Sequence, residues 1–422
     1  MLGNSELLLP AGSLSRLKTA FLYGADAVYA GAPDLSLRAH SEFPLQELSA
    51  GISYAHGIGK KVYLTLNLFT HNPDVAKLPM FLKAVREASP DGLIVSDPGV
   101  FAYMKEHAPD IPLHISTQAN VCSWLTVKFW QDMGAKMCVL GREVSFAELT
   151  EIRKLCPDIR LEMFIHGAMC MSYSGRCLLS SFMASRPANK GQCAHSCRWK
   201  YKVYLEEEER PGAYIPIEED DKGTYLMNSK DLCLLPHLDK ILTLGIDSLK
   251  IEGRNKSDYY VAMTTRVYRR AIDAWRENPE AWQADTFMAE LETMQSRGYT
   301  QGFFFGMPEA KDYNYTTTLS TGNALCVGSV AGFTENALVL EVRNRICQGD
   351  EIEFLSPYRF DPIRVKMTKV IDARNETEVP KISAGKAGQS ILIPYDFFAL
   401  SDIKTGEVQK LLPPLTVVRR KV

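Results

Sequence analysis

The chain has 422 residues, of which 46% are hydrophobic and 23% charged, with a formal net charge of −2. Those values exclude a disordered or collagenous chain, and the length suits one large domain plus a smaller one. The near-neutral charge excludes a global basic field, so any nucleic acid must be met by a local patch. No run of about 18 apolar residues exists to span a membrane, so no membrane partner is expected. The N-terminal stretch also lacks the basic and apolar regions of a signal peptide. A cytoplasmic location is the expectation, and there clustered cysteines point to metal binding or catalysis before disulfides.

The first 275 residues repeat one unit, a short apolar run followed by a helix-length segment. The runs are ELLLPAG (6–12), DAVYAG (26–31), KKVYLTLN (60–67), GLIVSD (92–97), PLHISTQ (112–118), KMCVLGRE (136–143), RLEMFIHG (160–167), TYLMNSKD (224–231) and DSLKIEGR (247–254). Near-continuous apolar runs of this length are buried parallel strands. About eight βα units predict an α/β fold, a (β/α)8 TIM-barrel-like domain over 1–277. Nine runs are one too many, so one is an extra strand or the barrel is irregular.

Polar residues collect at the C-terminal ends of these runs, where such barrels carry their chemistry. Lys250, Glu252 and His166 are the candidate catalytic groups among them. A cysteine-rich insertion, 168–223, separates the seventh and eighth runs, and its second half reads as a hairpin with acidic ends. A helical, then Gly- and Thr-rich, connector covers 278–322. From 323 to 422 short, closely spaced strands predict a small C-terminal antiparallel β-barrel.

Five of the ten cysteines fall between 170 and 233. Four thiolates can hold a [4Fe–4S] cluster or zinc. Only the Cys193-x3-Cys197 pair resembles a zinc knuckle, and the irregular spacing favours a cluster. The remaining cysteines lie in apolar contexts and read as small core residues.

The stretch EMFIHGAMCMSYSGRCLLS (162–180) resembles the signature of the peptidase U32 family, the collagenase-like peptidases. Glu162, Phe164, Gly167, Ala168, Cys170, Gly175, Cys177, Leu179 and Ser180 occupy its fixed positions. LLLPAGS, GADAVYAG, NKGQCAHSCRW, MNSKDLCLL and SLKIEGR are similar to further segments of the family. The resemblance runs the full length.

It implies a tRNA-modifying hydroxylase that forms 5-hydroxyuridine at the wobble position in a prephenate-dependent reaction with a [4Fe–4S] cluster. Its partners would be a tRNA anticodon loop and prephenate. One ligand pattern in the family resembles Cys170, Cys177, Cys193 and Cys233; another uses a pair like Cys193 and Cys197, which makes Cys197 the alternative fourth ligand. Position at a strand end favours Cys233. Prephenate is a dicarboxylate, and Arg254, Lys230, Arg142 and Arg176 are the cations that could pair with it. Tyr173 could stack a splayed uridine, as could Trp199. Arg198, Lys200 and Lys202 form a small basic patch beside the cysteines.

Two other readings stand beside this one. The family name implies a peptidase with a Cys or Ser nucleophile, but no nucleophile-elbow, papain-like or His-Glu-x-x-His motif is present. A non-catalytic iron–sulfur or RNA-binding accessory protein is the other.

Overall fold

A computed structural model describes residues 5–31, 45–169, 177–186, 193–199, 204–205, 215–216, 230–308, 322–385 and 388–422. The barrel strands are β1 (Glu6–Ala11), β2 (Ala27–Gly31), β3 (Lys61–Leu66), β4 (Gly92–Val95), β5 (Leu113–Ile115), β6 (Met137–Val139) and β7 (Arg160–Ala168). The helices α1 (Leu14–Leu22), α2 (Leu45–Gly57), α3 (Asn72–Val75), α4 (Leu78–Ala88), α5 (Pro98–His107), α6 (Trp124–Asp132) and α7 (Phe146–Leu155) lie between them. The insertion contributes α8 (Leu179–Ala184) and an antiparallel pair, β8 (Tyr204–Leu205) with β9 (Ile215–Pro216). Then come β10 (Asp231–Cys233), α9 (Leu238–Thr243), β11 (Ser248–Ile251), α10 (Asp258–Glu277), α11 (Asp285–Leu291) and β12 (Tyr299–Thr300).

β1 to β7 are parallel neighbours in order, and β11 pairs with both β7 and β1, closing an eight-stranded barrel. The eighth run, 224–231, is not among these eight strands and is the extra one. Of that run only Lys230 and Asp231 lie within the described residues, and β10, which starts at Asp231, runs antiparallel to the end of β7, outside the barrel, with β12 beside it. The strands are near-continuously buried, as parallel strands covered on both faces must be. Helix starts follow local chemistry: Ser13, Asp97, Ser123, Ser145 and Ser257 each accept a backbone N–H of the first turn.

The C-terminal strands are β13 (Ala324–Phe333), β14 (Ala337–Val342), β15 (Ile346–Cys347), β16 (Glu351–Phe354), β17 (Ile363–Lys366), β18 (Val370–Asp372), β19 (Thr377–Val379), β20 (Lys381–Ile382), β21 (Ser390–Pro394) and β22 (Val417–Lys421). Eight of them form one antiparallel sheet in the order β17-β16-β22-β13-β14-β21-β18-β19, and β15 pairs with β20. The sheet curls around its own apolar core, which includes Val327, Leu340, Phe354, Ile391 and Phe398.

The connector is not a passive link. Leu291, Met294 and Phe304 belong to the barrel-side core, joined there by Leu355 and Val417 of the C-terminal sheet. The Tyr23 hydroxyl donates to the Leu355 carbonyl at 2.6 Å and accepts from Val417 N–H at 3.0 Å, fastening α1 to the sheet.

Candidate active site at the barrel mouth

Alternation along each strand sends every second side chain into the barrel. At its lower end Tyr63 donates to Glu6 at 2.9 Å and meets the His114 ring edge-on at 4.8 Å. Burial raises the Glu6 carboxyl, although Arg160, Tyr63 and Lys61 oppose that rise. Burial, helped by Arg160, Lys250 and Lys61, lowers His114 to about 3. Leu8, Ala27, Tyr29, Tyr63 and Ile94 pack as an apolar plug above.

The plug carries a charged layer. Lys250 Nζ donates to Glu162 Oε1 at 2.7 Å, and the Ser248 hydroxyl donates to Glu162 Oε2 at 2.9 Å. Lys250 also lies over the rings of Tyr29 at 4.4 Å and Phe164 at 5.5 Å. One step nearer the opening, the Tyr29 hydroxyl donates to the Ile251 carbonyl at 3.0 Å and reaches Glu252 Oε2 at 3.3 Å. Arg142 stacks on Phe164 at 3.7 Å and lies 3.8 Å from Glu252. Arg254 donates to Thr65 Oγ1 at 3.1 Å and stands over the Tyr29 ring at 5.9 Å. Ser96 donates to Gln118 Oε1 at 3.1 Å on the opposite wall.

The structure therefore brings Arg142, Lys250, Glu252 and Arg254 together at the C-terminal ends of β6 and β11. Glu162, Tyr29 and Phe164 complete the group, and sequence reasoning did not single them out as site residues. Among the residues of this group three cations stand with two carboxylates in a wall of aromatic rings. Such a mouth suits an anion that offers carboxylates or phosphates for paired hydrogen bonds.

The other candidates lie elsewhere. His166 is buried against Tyr260, Tyr268 and Tyr299, and its Nδ1 is 3.3 Å from the Tyr268 hydroxyl. A register shift between β7 and β11 pairs Phe164 with Lys250 but His166 with Ile251. The additional residue in β7 turns His166 away from the inward set. Gly167 follows at φ +113°, pressed so closely on Glu252 that an added Cβ would lie 2.5 Å from its carbonyl oxygen.

Lys230 and Cys233 line a separate cleft of about 800 Å³ with Met288, Tyr299 and Phe305. Cys233 is buried on β10, its Sγ 3.6 Å from the Tyr268 hydroxyl and 3.7 Å from Met288 Sδ. It thus stands behind β7 and not at the mouth. Burial pushes its thiol up to about 11 and lowers His166 to about 4, opposite to what a thiolate–imidazolium nucleophile needs.

Cys170, Tyr173 and Arg176, with Lys200 and Lys202, fall outside the described residues. Cys177, Cys193 and Cys197 are half-buried around α8 and the short turn Ser196–Arg198. Ala194 N–H donating to Ser180 Oγ at 2.8 Å ties that turn to α8. Among the described residues no three His, Cys, Asp or Glu side chains gather into a metal-binding group. The described thiols do not by themselves make a four-thiolate centre. Among these residues, too, no helix is long and apolar enough to cross a membrane.

A closed parallel barrel that carries Arg142, Glu252 and Arg254 at the carboxyl ends of its strands is a (β/α)8 scaffold of the enzyme type. The chain belongs to peptidase family U32: the profile of that family matches residues 12–314, and that of the U32 C-terminal domain matches 323–402. It is 41% identical over 394 residues to tRNA hydroxylation protein P of Escherichia coli (strain K12), covering 83% of this chain and 86% of that one. A tRNA hydroxylation protein P of Helicobacter pylori (strain J99) is 37% identical over 420 residues, 95% of this chain and 98% of that one. A 23S rRNA 5-hydroxycytidine synthase of Escherichia coli is 33% identical over 269 residues, 64% of this chain and 39% of that one.

Proposed function

We propose that this protein is an RNA-modifying enzyme that hydroxylates tRNA, and that its product is 5-hydroxyuridine at the wobble position, formed with prephenate as co-substrate. The observation that carries the reading is the mouth itself. Arg142, Lys250 and Arg254 stand on the rings of Tyr29 and Phe164, in a chain whose relatives bear the names of tRNA and rRNA hydroxylation proteins.

In this reading Arg142 and Arg254 take the carboxylates of the co-substrate. Lys250, held by Glu162, keeps a fixed positive charge beneath them, and Glu252, oriented by Tyr29, is the proton-accepting group at the rim. A uridine of an anticodon loop is single-stranded and can be splayed into such an opening without breaking a base pair. The proposal includes a [4Fe–4S] cluster on Cys170, Cys177, Cys193 and Cys233, supported by the crowding of five cysteines into residues 170–233 of the sequence. Bound there, it would supply redox capacity.

Nucleoside analysis of tRNA from a deletion strain tests the proposal. Wobble 5-hydroxyuridine should vanish, return with the wild-type gene and stay absent with Arg254→Ala. An unchanged modification in the deletion strain would overturn it.

A further inference from the structure

The segment 252–256 is a wall with two sides. Glu252 and Arg254 belong to the barrel mouth on one side. On the other side a cleft of about 580 Å³ opens between the barrel rim and the C-terminal sheet, lined by Arg16, Lys256 and Tyr260 from the barrel and by Ser329, Arg343 and Asn344 from the sheet. The two spaces share structural members. Arg16 Nη1 donates to the Arg254 carbonyl at 3.1 Å, and the Tyr260 hydroxyl donates to the Glu252 carbonyl at 2.8 Å.

The cleft's charge is unlike that of the chain. Its described lining holds Arg16, Lys256 and Arg343 with one carboxylate, Asp258, and a second, Glu341, stands beside Arg343. Asp258 lies 3.6 Å from Arg16 at the start of α10, whose N-terminus opens into the same space. Arg343 is paired with Glu341 at 3.2 Å, but both side chains are solvent-exposed, and such a pair yields readily to a phosphate. A chain of net charge −2 must concentrate cations locally to hold a polyanion. Here they face each other across a slot open to solvent, floored by helix N–H dipoles and flanked by the Tyr260 ring, over which Lys256 lies at 5.2 Å.

We infer that this interdomain cleft is the docking groove for the RNA backbone flanking the nucleotide that enters the barrel mouth, with Lys256 and Arg343 contacting phosphates from opposite walls. The inference rests on the proposed tRNA reading and assigns the C-terminal sheet a role in it. Phosphate contacts set register and orientation, and the mouth then acts on the base that the register delivers.

The test is binding of an unmodified tRNA transcript with a wobble uridine to the full-length protein between about 50 and 200 mM salt. Lys256→Ala and Arg343→Ala should each make the plot of log affinity against log salt shallower by about one, and together by about two. Arg86→Ala, on an exposed outer helix, should leave the slope unchanged, and thermal melting confirms that each variant folds. Wild-type slopes in both groove variants, with tRNA still hydroxylated, overturn the groove alone and leave the cleft to a protein partner. A wild-type protein with no salt-dependent tRNA binding overturns the groove and the proposed function together.

Discussion

Lys250 and Glu162 face each other at 2.7 Å inside the barrel, both sealed from solvent. A buried pair stabilises little compared with an apolar replacement, but removing one partner strands the other charge at a cost of about 3–5 kcal/mol. Lys250→Met should therefore lower the unfolding free energy by that order, and Glu162→Gln should lower it by a similar amount. The double variant should regain most of the loss while remaining inactive, since the mouth has lost its fixed cation. Denaturant unfolding and tRNA nucleoside analysis on the same preparations read the two effects separately.

Tyr29 supports the mouth twice, with its ring under Lys250 and Arg254 and its hydroxyl toward Glu252. Tyr29→Phe keeps the ring and removes the hydroxyl, so it should act on turnover through the orientation of Glu252. Tyr29→Leu removes the π face as well, worth about 1–2 kcal/mol for a desolvated cation, and should weaken capture of the anionic co-substrate roughly tenfold. Steady-state kinetics with prephenate, the proposed co-substrate, as the varied substrate separates these outcomes. Equal effects of the two substitutions on KM would remove the ring from the account.

Much of this arrangement was legible in the sequence, for physical reasons. Parallel strands buried on both faces write themselves as apolar runs, so the barrel was readable, and Lys250, Glu252 and Arg254 stand two residues apart at a strand end on one face. Tyr29 was not readable, because an aromatic residue in a buried run is normally core. His166 was misplaced because alternation from Glu162 through Phe164 points it inward, and only the register shift at Ile251 turns it toward α10. The direction of β10 was hidden as well. A three-residue strand such as Asp231–Cys233 carries no sign of parallel or antiparallel pairing, which depends here on the end of β7.

Glu290 ties the two halves of the chain: its oxygens accept from Arg266 at 2.8 Å and from Arg419 at 3.1 Å, and Arg419 continues to Glu353 at 2.7 Å. Arg266 and Arg419 are among the largest fully buried side chains. Glu290→Ala leaves both guanidinium groups without that carboxylate and should cost about 3–5 kcal/mol. Calorimetry should show the single wild-type transition splitting as the sheet separates from α10. A variant that melts as one unit at the wild-type temperature would show the joint to be energetically silent.

His114 makes the barrel sensitive to acid. Its folded pKa of about 3 lies below the unfolded value of about 6.5, so the unfolded chain binds the extra proton between them. The stability contribution is complete above about pH 6.5 and is lost progressively as pH falls toward 3, by an amount on the order of a few kcal/mol. His114→Phe retains a ring against Tyr63 and removes the titration. Its unfolding free energy should fall less steeply than that of the wild type from pH 7 to 4. Parallel curves would mean that the imidazole titrates normally in the folded protein.

The cysteines allow a decision between two fourth ligands. Cys233 is buried on a strand at the edge of the cleft that contains Lys230, whereas Cys197 sits on the turn bonded to α8. The proposed cluster on Cys170, Cys177, Cys193 and Cys233 would tie the insertion to β10. Anaerobically purified Cys233→Ala should then lose its iron and sulfide, while Cys197→Ala keeps both. Protease cutting within the insertion should increase only in the Cys233 variant, because only there is the tether to β10 broken. Iron retained in Cys233→Ala and lost in Cys197→Ala would reassign the fourth ligand to the turn. A wild-type protein with zinc in place of iron and sulfide would replace the cluster with a structural metal.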